Sequence, residues 1–580
     1  MARKNARTTD QSLDSARKKS WKPKVKTGCV TCKNRRVKCD ENKPDCRRCS
    51  ATGRKCEGYR FAGPGIGTSV WDHPWAHSWT PHAFALGPDD NSGFFPPGSL
   101  LQQPSVFVFD TAEEQQSFEF FQVYSVPEFT ALFPPDLDFW CYSVLPISMM
   151  QPAVRHAVAS LGALHRHFVE GDEAILSEDA VNTHLGRFGL LQYTQALKSF
   201  TQLAKSSALI DKVLALITSI LIIHISSLQG YQQSSFRHLD KALDLFQDLK
   251  AQIASIGGTS YAVQMKALHA ILLSLQTQAR TMNCSEDLNR MGPLDAPSAE
   301  RFSRADLPHF ASLNDARDYY DTLLNDLQLF DQNLGIHAVG PAEDKFQNLV
   351  NRLTYGEEAL VRLRTETMLL RNNHSGTALT IQLNSWILDL FLRAYPRLHV
   401  EGELAWDTYH SHFAKIVQLS QQILGAPDVQ PHKGSLEDFE SFLFENEHSV
   451  KPIFTAGHGV LGPLFVVAMH CREPRLRREA LYLLFTNPRR EGLWDSISAA
   501  RVALQALKLE ERLHQDLLSA GGNTGMAAVP NSLTPRTSTI PRACRVNDLD
   551  IQYTSARTAS LQLKTEGRWH QLQKTSIISW

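Results

Sequence analysis

Ten cysteines occur in the 580 residues, and six of them, Cys29, Cys32, Cys39, Cys46, Cys49 and Cys56, fall in one window of 28 residues. Thiols this dense either bind a soft metal ion or do redox chemistry. The spacing, C-x2-C-x6-C-x6-C-x2-C-x6-C, favours the metal. A shift of 17 residues carries Cys29, Cys32 and Cys39 onto Cys46, Cys49 and Cys56, so the segment is an internal repeat. A C-x2-C pair sets two sulfurs on one side of a tight turn, where one tetrahedral ion takes both. Six thiolates supply two four-coordinate ions only if two sulfurs bridge. Zinc suits closed all-sulfur tetrahedra, and such sites supply folding energy directly. A chance or redox cluster would have no reason to repeat its spacing.

Lys33, Arg35, Arg36 and Lys38 lie between Cys32 and Cys39. An arginine pairs bidentately with guanine O6 and N7 in the major groove, whereas lysines on phosphates position the protein without reading sequence. A merely solvated basic face is the alternative, and the adjoining metal ligands argue against it. Upstream, the basic run Arg17–Lys26 reads as a nuclear localisation signal or as a disordered arm on phosphates.

Gly28-Cys29-Val30-Thr31-Cys32-Lys33-Asn34-Arg35-Arg36-Val37-Lys38-Cys39-Asp40, then Lys43-Pro44-Asp45-Cys46-Arg47-Arg48-Cys49 and Gly53-Arg54-Lys55-Cys56, resembles the fungal Zn2Cys6 binuclear cluster domain. The resemblance implies two Zn(2+) ions per chain, with Cys29 and Cys46 as shared ligands. It also implies two short helices related by a pseudo-twofold and joined by a loop turned at Pro44. Arg35 and Arg36 become the base-reading cations, on CGG-type triplets of double-stranded DNA.

The elements that must carry this module are uneven in charge. Lys+Arg and Asp+Glu both total 60, yet residues 1–60 carry a net +13 and the other 520 a net −13. Counterion release at phosphates follows for the first part only. Met1–Ser20 is polar and basic, unlike a secretory signal. The most apolar run, Val213–Ile225, is interrupted by Thr218, Ser219 and His224 and falls short of the ~20 residues that span a bilayer. No membrane partner is expected, and an intracellular setting with reduced thiols is. Cys141, Cys284, Cys471 and Cys544 stand singly and read as inert core thiols.

Residues 61–105 hold seven prolines, six glycines and no Lys or Arg, the composition of a disordered linker. Trp71, Trp75 and Trp79 within it suit a docking motif or a segment tucked against the large domain. No heptad pattern follows the sixth cysteine, so linker-mediated dimerisation is not expected. Binding as a monomer and a homodimer without a linker coiled coil both stay open.

From Thr111 onward the pattern is helical. Thr111-Ala112-Glu113-Glu114 has capping-box form, with Phe118, Phe121 and Tyr124 following at helical spacing. Val154–Leu164, Val213–Ile225, Phe236–Phe246 after a break at Gly230, Leu379–Tyr395 stopped by Pro396, Pro463–Met469, Leu476–Phe485 and Ala499–Leu513 read as further helices. Strand signals are confined to a hairpin at Leu561–Leu563 and Trp569–Leu572. His156, His165, His167 and His238 are expected to be core or surface histidines. Arg477, Arg478, Arg489 and Arg490 are expected to pair with Glu473, Glu479, Glu491 and Asp495. Phe139-Trp140, Pro152–His165, Leu228-Gln229-Gly230 and Pro488–Asp495 resemble the helical regulatory region that accompanies the zinc module in filamentous fungi.

The expected organisation is thus a basic arm (1–26), a Zn2Cys6 DNA-binding module (27–60), a Pro/Gly-rich disordered linker (61–108) and a mainly all-α regulatory domain (109–580). The expected function is a zinc-dependent, sequence-specific regulator of RNA polymerase II genes in the nucleus, meeting the transcription machinery or co-regulators. The wording around the cysteines is similar to that of regulators of secondary-metabolite gene clusters. No catalytic residues are assigned, since P-loop, dinucleotide-binding and G-x-S-x-G motifs are missing. The competing readings are a zinc-stabilised scaffold for protein partners and an enzyme with an appended DNA-targeting module.

Overall fold

The computed structural model divides into two units, Met1–Gly93 and Phe94–Trp580. The structure describes residues 31–32, 35, 37, 39–40, 46–54 and 56 of the first. Of the second it describes 109–133, 138–170, 183–255, 262–282, 294, 308–334, 341–366, 375–426, 434–446, 451–521, 540–566, 568–571 and 577–579. The basic arm, the tryptophan segment, the linker and Cys284 lie outside the described residues.

The second unit is mostly helical. Its first helix, α1 (Ala112–Phe120), opens as expected: the Glu114 amide donates to Thr111 Oγ1 at 3.1 Å. Buried Glu114 returns its carboxylate to the Asp110 amide at 3.0 Å, one residue earlier than a standard capping box. A π turn (Phe121–Ser125) follows, burying Phe121 and leaving Tyr124 41% exposed, so the aromatic spacing there does not mark one face. Helices α2 (Pro152–Glu170) and α3 (His184–Leu203) pack tightly against each other, and α1 also lies on α2. Gly162 makes the α1–α2 approach possible, since a Cβ there would fall 2.1 Å from the Ser117 carbonyl oxygen.

The hydrophobic centre is α4 (Leu209–Leu228), which packs on α2 and on α5 (Gln232–Ser255). It is longer than the apolar run in the sequence, and its 20 residues are long and apolar enough to cross a membrane by length and composition. Every residue from Val213 to Leu228 is nevertheless buried among other helices, as in a central core helix. Two of the polar residues that interrupt the run bond locally: Thr218 donates to Leu214 O at 2.7 Å and His224 Nδ1 meets Ile220 O at 2.7 Å. The expected amphipathic face of α5 is buried at Phe236, Leu239, Leu243 and Phe246.

Helices α6 (Ala262–Thr281), α7 (Leu313–Leu334), α8 (Pro341–Glu366), α9 (Ser375–Glu401) and α10 (His410–Leu424) continue the stack. Pro396 does not end α9, contrary to expectation. Side-chain bonds brace the turns around it. Tyr409 Oη donates to Arg393 O at 2.7 Å, and Arg397 binds Glu401 at 2.8 Å and Thr408 Oγ1 at 2.6 Å. Then come α11 (Leu436–Asn446), α12 (Leu461–His470), α13 (Pro474–Thr486) and α14 (Ser496–Gly521), the last packed on α12 and α13.

Two small sheets complete the unit, and of these only a hairpin within the second was expected from the sequence. In the first, β1 (Ile453–Thr455) pairs in parallel with β2 (Arg489–Glu491), which turns at Gly492 (φ +57°) into β3 (Trp494–Asp495). Buried Glu491 accepts the amides of Gly459, Val460 and Leu461 at 2.9, 3.2 and 2.9 Å, so it caps α12 from another element. In the second sheet, β4 (Asp548–Ser555), β5 (Thr558–Thr565) and β6 (Arg568–Gln571) run antiparallel, and β7 (Ile577–Ser579) also pairs with β5. The expected hairpin is the β5–β6 part of it.

Buried Glu510 on α14 receives Arg472 and Arg477 at 2.6 Å each and the Val546 amide at 2.7 Å, joining the α12–α13 corner to the C-terminal segment.

Candidate metal centre

Among the described residues of the first unit, only Cys32, Cys46 and Cys49 are buried hydrophobic residues, with Val37, Cys39 and Cys56 packed around them. Sulfur replaces the apolar core. Cys46 precedes a one-turn helix, Arg47–Ser50, and its Sγ accepts the Cys49 amide at 3.3 Å. The Cys46 amide in turn points at Cys56 Sγ, 3.5 Å away. Amide hydrogens aimed at sulfur favour the thiolate form that a metal needs.

The 17-residue sequence repeat reappears in the backbone. The Val37 amide donates to Cys32 O at 3.1 Å, and the Arg54 amide donates to Cys49 O at 3.1 Å. Each is the same bond moved by 17 residues, closing a helical turn after the second cysteine of its half. The first half is helical at Thr31 and Cys32. Arg35 ties the halves together by donating from Nη1 to Thr52 Oγ1, its own counterpart in the repeat, at 3.3 Å.

Two groups of sulfurs lie close enough to share ions: Cys32, Cys39 and Cys46, and Cys46, Cys49 and Cys56, each group within 4.8 Å. Cys46 belongs to both. Its Sγ is 3.6 Å from that of Cys32, and the Cys32 and Cys49 sulfurs are 3.9 Å apart. These gaps exclude disulfides, whose bond is about 2.05 Å. They match the edge of a sulfur tetrahedron, about 3.8 Å when each Zn–S bond is about 2.3 Å. The donor set therefore fits zinc. Cys29, Lys33, Arg36 and Lys38 lie outside the described residues, so Arg35 is the one expected DNA contact with a described position. Arg47, Arg48 and Arg54 are exposed on the second half, a cationic surface that attention to the first half missed.

The second unit gathers no comparable ligand set among the described residues. His165 is buried between Ser125 Oγ (2.8 Å) and Glu128 Oε1 (3.1 Å), while His156 meets Gln192 Oε1 at 2.7 Å. Burial lowers the pKa of His238, and burial followed by the Arg557 charge lowers that of His167. Burial pushes the Cys471 thiol up to about 12, and burial followed by Asp138 pushes Cys141 up to about 11, so both are inert. Burial raises Cys544 as well. Of the expected arginine partners, Arg489–Glu491 and Arg490–Asp495 form, each at 2.9 Å. Arg477 pairs instead with Glu510, and Arg478 donates to Gly434 O at 2.8 Å. Glu473 caps α13, and Glu479 receives Gln421.

Residues 27–62 match the fungal Zn(2)-Cys(6) binuclear cluster domain, and residues 117–506 match the fungal specific transcription factor domain. The chain is 24% identical to the aspercryptin biosynthesis cluster-specific transcription regulator atnN of Emericella nidulans, over 87% of this chain and 90% of that protein. It is 58% identical over 41 residues, 7% of this chain and 8% of the other, to the transcriptional regulatory protein moc3 of Schizosaccharomyces pombe. The transcription regulator lscL of Purpureocillium lilacinum is 26% identical over 38% of this chain and 48% of its own length. No solved structure matches.

Proposed function

This chain belongs to the fungal specific transcription factor family, and on that premise we propose that it reads CGG-type triplets in double-stranded DNA through its zinc-folded repeat. The family's cluster domain and its regulator relatives make the chain a zinc-dependent, DNA-binding transcription regulator. The ligands proposed for the two zinc ions are Cys29, Cys32, Cys39, Cys46, Cys49 and Cys56, with Cys29 and Cys46 shared. Support for the sharing comes from the place of Cys46 in both sulfur groups.

In this reading Arg35 and Arg36 meet guanine edges while Lys33 and Lys38 meet phosphates. Arg35 spends one amino group on Thr52 and keeps the rest of its guanidinium for the duplex. The exposed Arg47, Arg48 and Arg54 add phosphate contacts from the second half. The site of action is the nucleus, the target a secondary-metabolite gene cluster, and the acidic large domain the surface that meets co-regulators. The named duty of the Emericella nidulans relative supports the gene-cluster part. A homodimer, where it forms, uses the large domain.

The observation that carries the reading is the sharing of Cys46 between two sulfur groups inside a repeat studded with cations. Gel-shift of the full-length protein tests it, on duplexes bearing CGG triplets and on the same duplexes with the triplets scrambled. Zinc-dependent retardation of the CGG duplex is expected. Retardation that survives a chelator, or that ignores the triplet, overturns the reading.

A further inference from the structure

Arg557 is the one non-glycine residue with a left-handed backbone (φ 54°) among the described residues. It is the second residue of the two-residue turn joining β4 to β5, whose last pair is Ser555–Thr558. Glycine or asparagine is favoured where a turn needs positive φ, and an arginine there is strained. The side chain is not solvated in compensation. Arg557 is 9% exposed, and its Nη1 is buried without a hydrogen-bond partner. It folds over the end of α4: its amide donates to Gly230 O at 3.2 Å, and a Cβ at Gly230 (φ +81°) would fall 2.5 Å from Arg557 Cγ.

A second guanidinium meets the same helix end. Arg490 Nη1 donates to Ser227 O at 2.6 Å and to Leu228 O, while its Nε pairs with Asp495. Arg490 is 2% exposed, and its Nη2 is buried with no partner. The side-chain Nε2 of Gln229, the residue before Gly230 and after Leu228, is likewise buried and unpartnered. Among the described residues Asp495 is the one carboxylate bonded to either guanidinium, and its other oxygen already accepts the Ser498 amide at 3.0 Å. Of the two buried cations, Arg490 thus has one committed anion and Arg557 has no bonded carboxylate among the described residues.

We propose that Arg490 and Arg557, with the Gln229 side-chain amide, form a binding site at the end of α4 for a small-molecule oxyanion, a metabolite's carboxylate or phosphate group. Guanidinium forks match carboxylate and phosphate oxygens geometrically, and hydrogen bonds to the charged group gain strength where water is excluded. Burial, reinforced by the Arg490 charge, holds the Arg557 pKa well below its ordinary value, and burial lowers Arg490 despite Asp495. An arriving anion relieves both. Because Arg557 stands on the β4–β5 turn and Arg490 on β2, occupancy fastens the C-terminal sheet to the central core helix. The site lies in the larger unit and does not depend on how the cluster module reads DNA.

Thermal unfolding of the full-length protein tests the proposal, in inorganic phosphate or acetate with ionic strength held constant by chloride. A saturable rise in Tm is expected with at least one of the two anions, and the stronger one identifies the phosphate or the carboxylate as the recognised group. Arg557→Gly and Arg557→Asn both accept the left-handed backbone, so they should fold and unfold no earlier than the natural protein without anion. Both should bind the anion at least about tenfold more weakly, as loss of a charge-assisted hydrogen bond predicts. The proposal is overturned if neither anion raises Tm beyond chloride, or if the variants respond as the natural protein does.

Discussion

Cys32 and Cys49 are counterparts in the 17-residue repeat, and their sulfurs lie 3.9 Å apart in a unit whose described buried core is sulfur. The two halves meet through these atoms and through Arg35 and Thr52, with no apolar layer between them among the described residues. Such a module has little to hold it when its thiolates repel one another without a metal. Binding energy of the metal is then folding energy.

The place of Cys46 in both sulfur groups gives the first prediction. Cys46→Ala should lose close to two zinc ions per chain, because one sulfur serves both. Cys49→Ala removes a sulfur of one group alone and should keep about one. Metal counting on the purified variants decides the matter; equal losses would refute the shared role.

The proposed division of labour on DNA gives the second. Arg36→Ala should relax sequence discrimination by about 1–3 kcal/mol at one base pair. Lys38→Ala should weaken all sequences alike and lower the salt slope by roughly one unit. Competition binding at several salt concentrations separates the two. Identical behaviour of the variants would remove the distinction between reading and positioning.

How far the sequence announced all this depends on the range of the interaction. The cysteine repeat was readable because its geometry is set within seven residues, and the helices because one face repeats, as at Val154, Ala157, Val158, Leu161 and Leu164, all buried. The first sheet was hidden. Its strands are two or three residues long, too short for an alternating pattern, and β2 is Arg489-Arg490-Glu491, charged yet buried. Those charges pair locally, Arg489 with Glu491 and Arg490 with Asp495, but what lets them be buried lies far along the chain, as the Ser227 carbonyl that accepts from Arg490 lies 263 positions away. Arg477 shows the same limit, since nearby Glu473 and Glu479 were plausible partners and the true one, Glu510, lies 33 positions away.

That distant partner gives the third prediction. Burial alone would raise the Glu510 carboxyl, but the Arg477 and Arg472 charges overcome it and hold the group below its ordinary range. Glu510→Ala strips buried Arg477 of its carboxylate, leaves buried Arg472 with Glu403 alone, and releases the Val546 amide. A loss of about 3–5 kcal/mol is expected, the usual result of breaking a buried ion pair by removing one partner. Limited proteolysis should cut sooner near residues 540–546. Unchanged unfolding and unchanged cleavage would show that α14 does not hold this segment.

Glu403, next to that cluster, gives a prediction about acid. It accepts from Arg472 Nη1 at 3.0 Å, His470 Nδ1 at 3.2 Å and Trp406 Nε1 at 3.3 Å. Burial would raise its pKa, yet His470, Arg472 and Trp406 together bring it from 4.5 down to about 2. A depressed carboxyl stabilises the fold while it is ionised. Its contribution is complete above pH 4.5 and disappears as the pH falls toward 2. The shift corresponds to at most roughly 3 kcal/mol. Glu403→Gln should therefore lower stability at neutral pH and remove part of the loss on acidification. Thermal unfolding of both proteins across that window supplies the check: the curves should converge as the pH falls, and parallel curves would show that the Glu403 charge does not stabilise this corner.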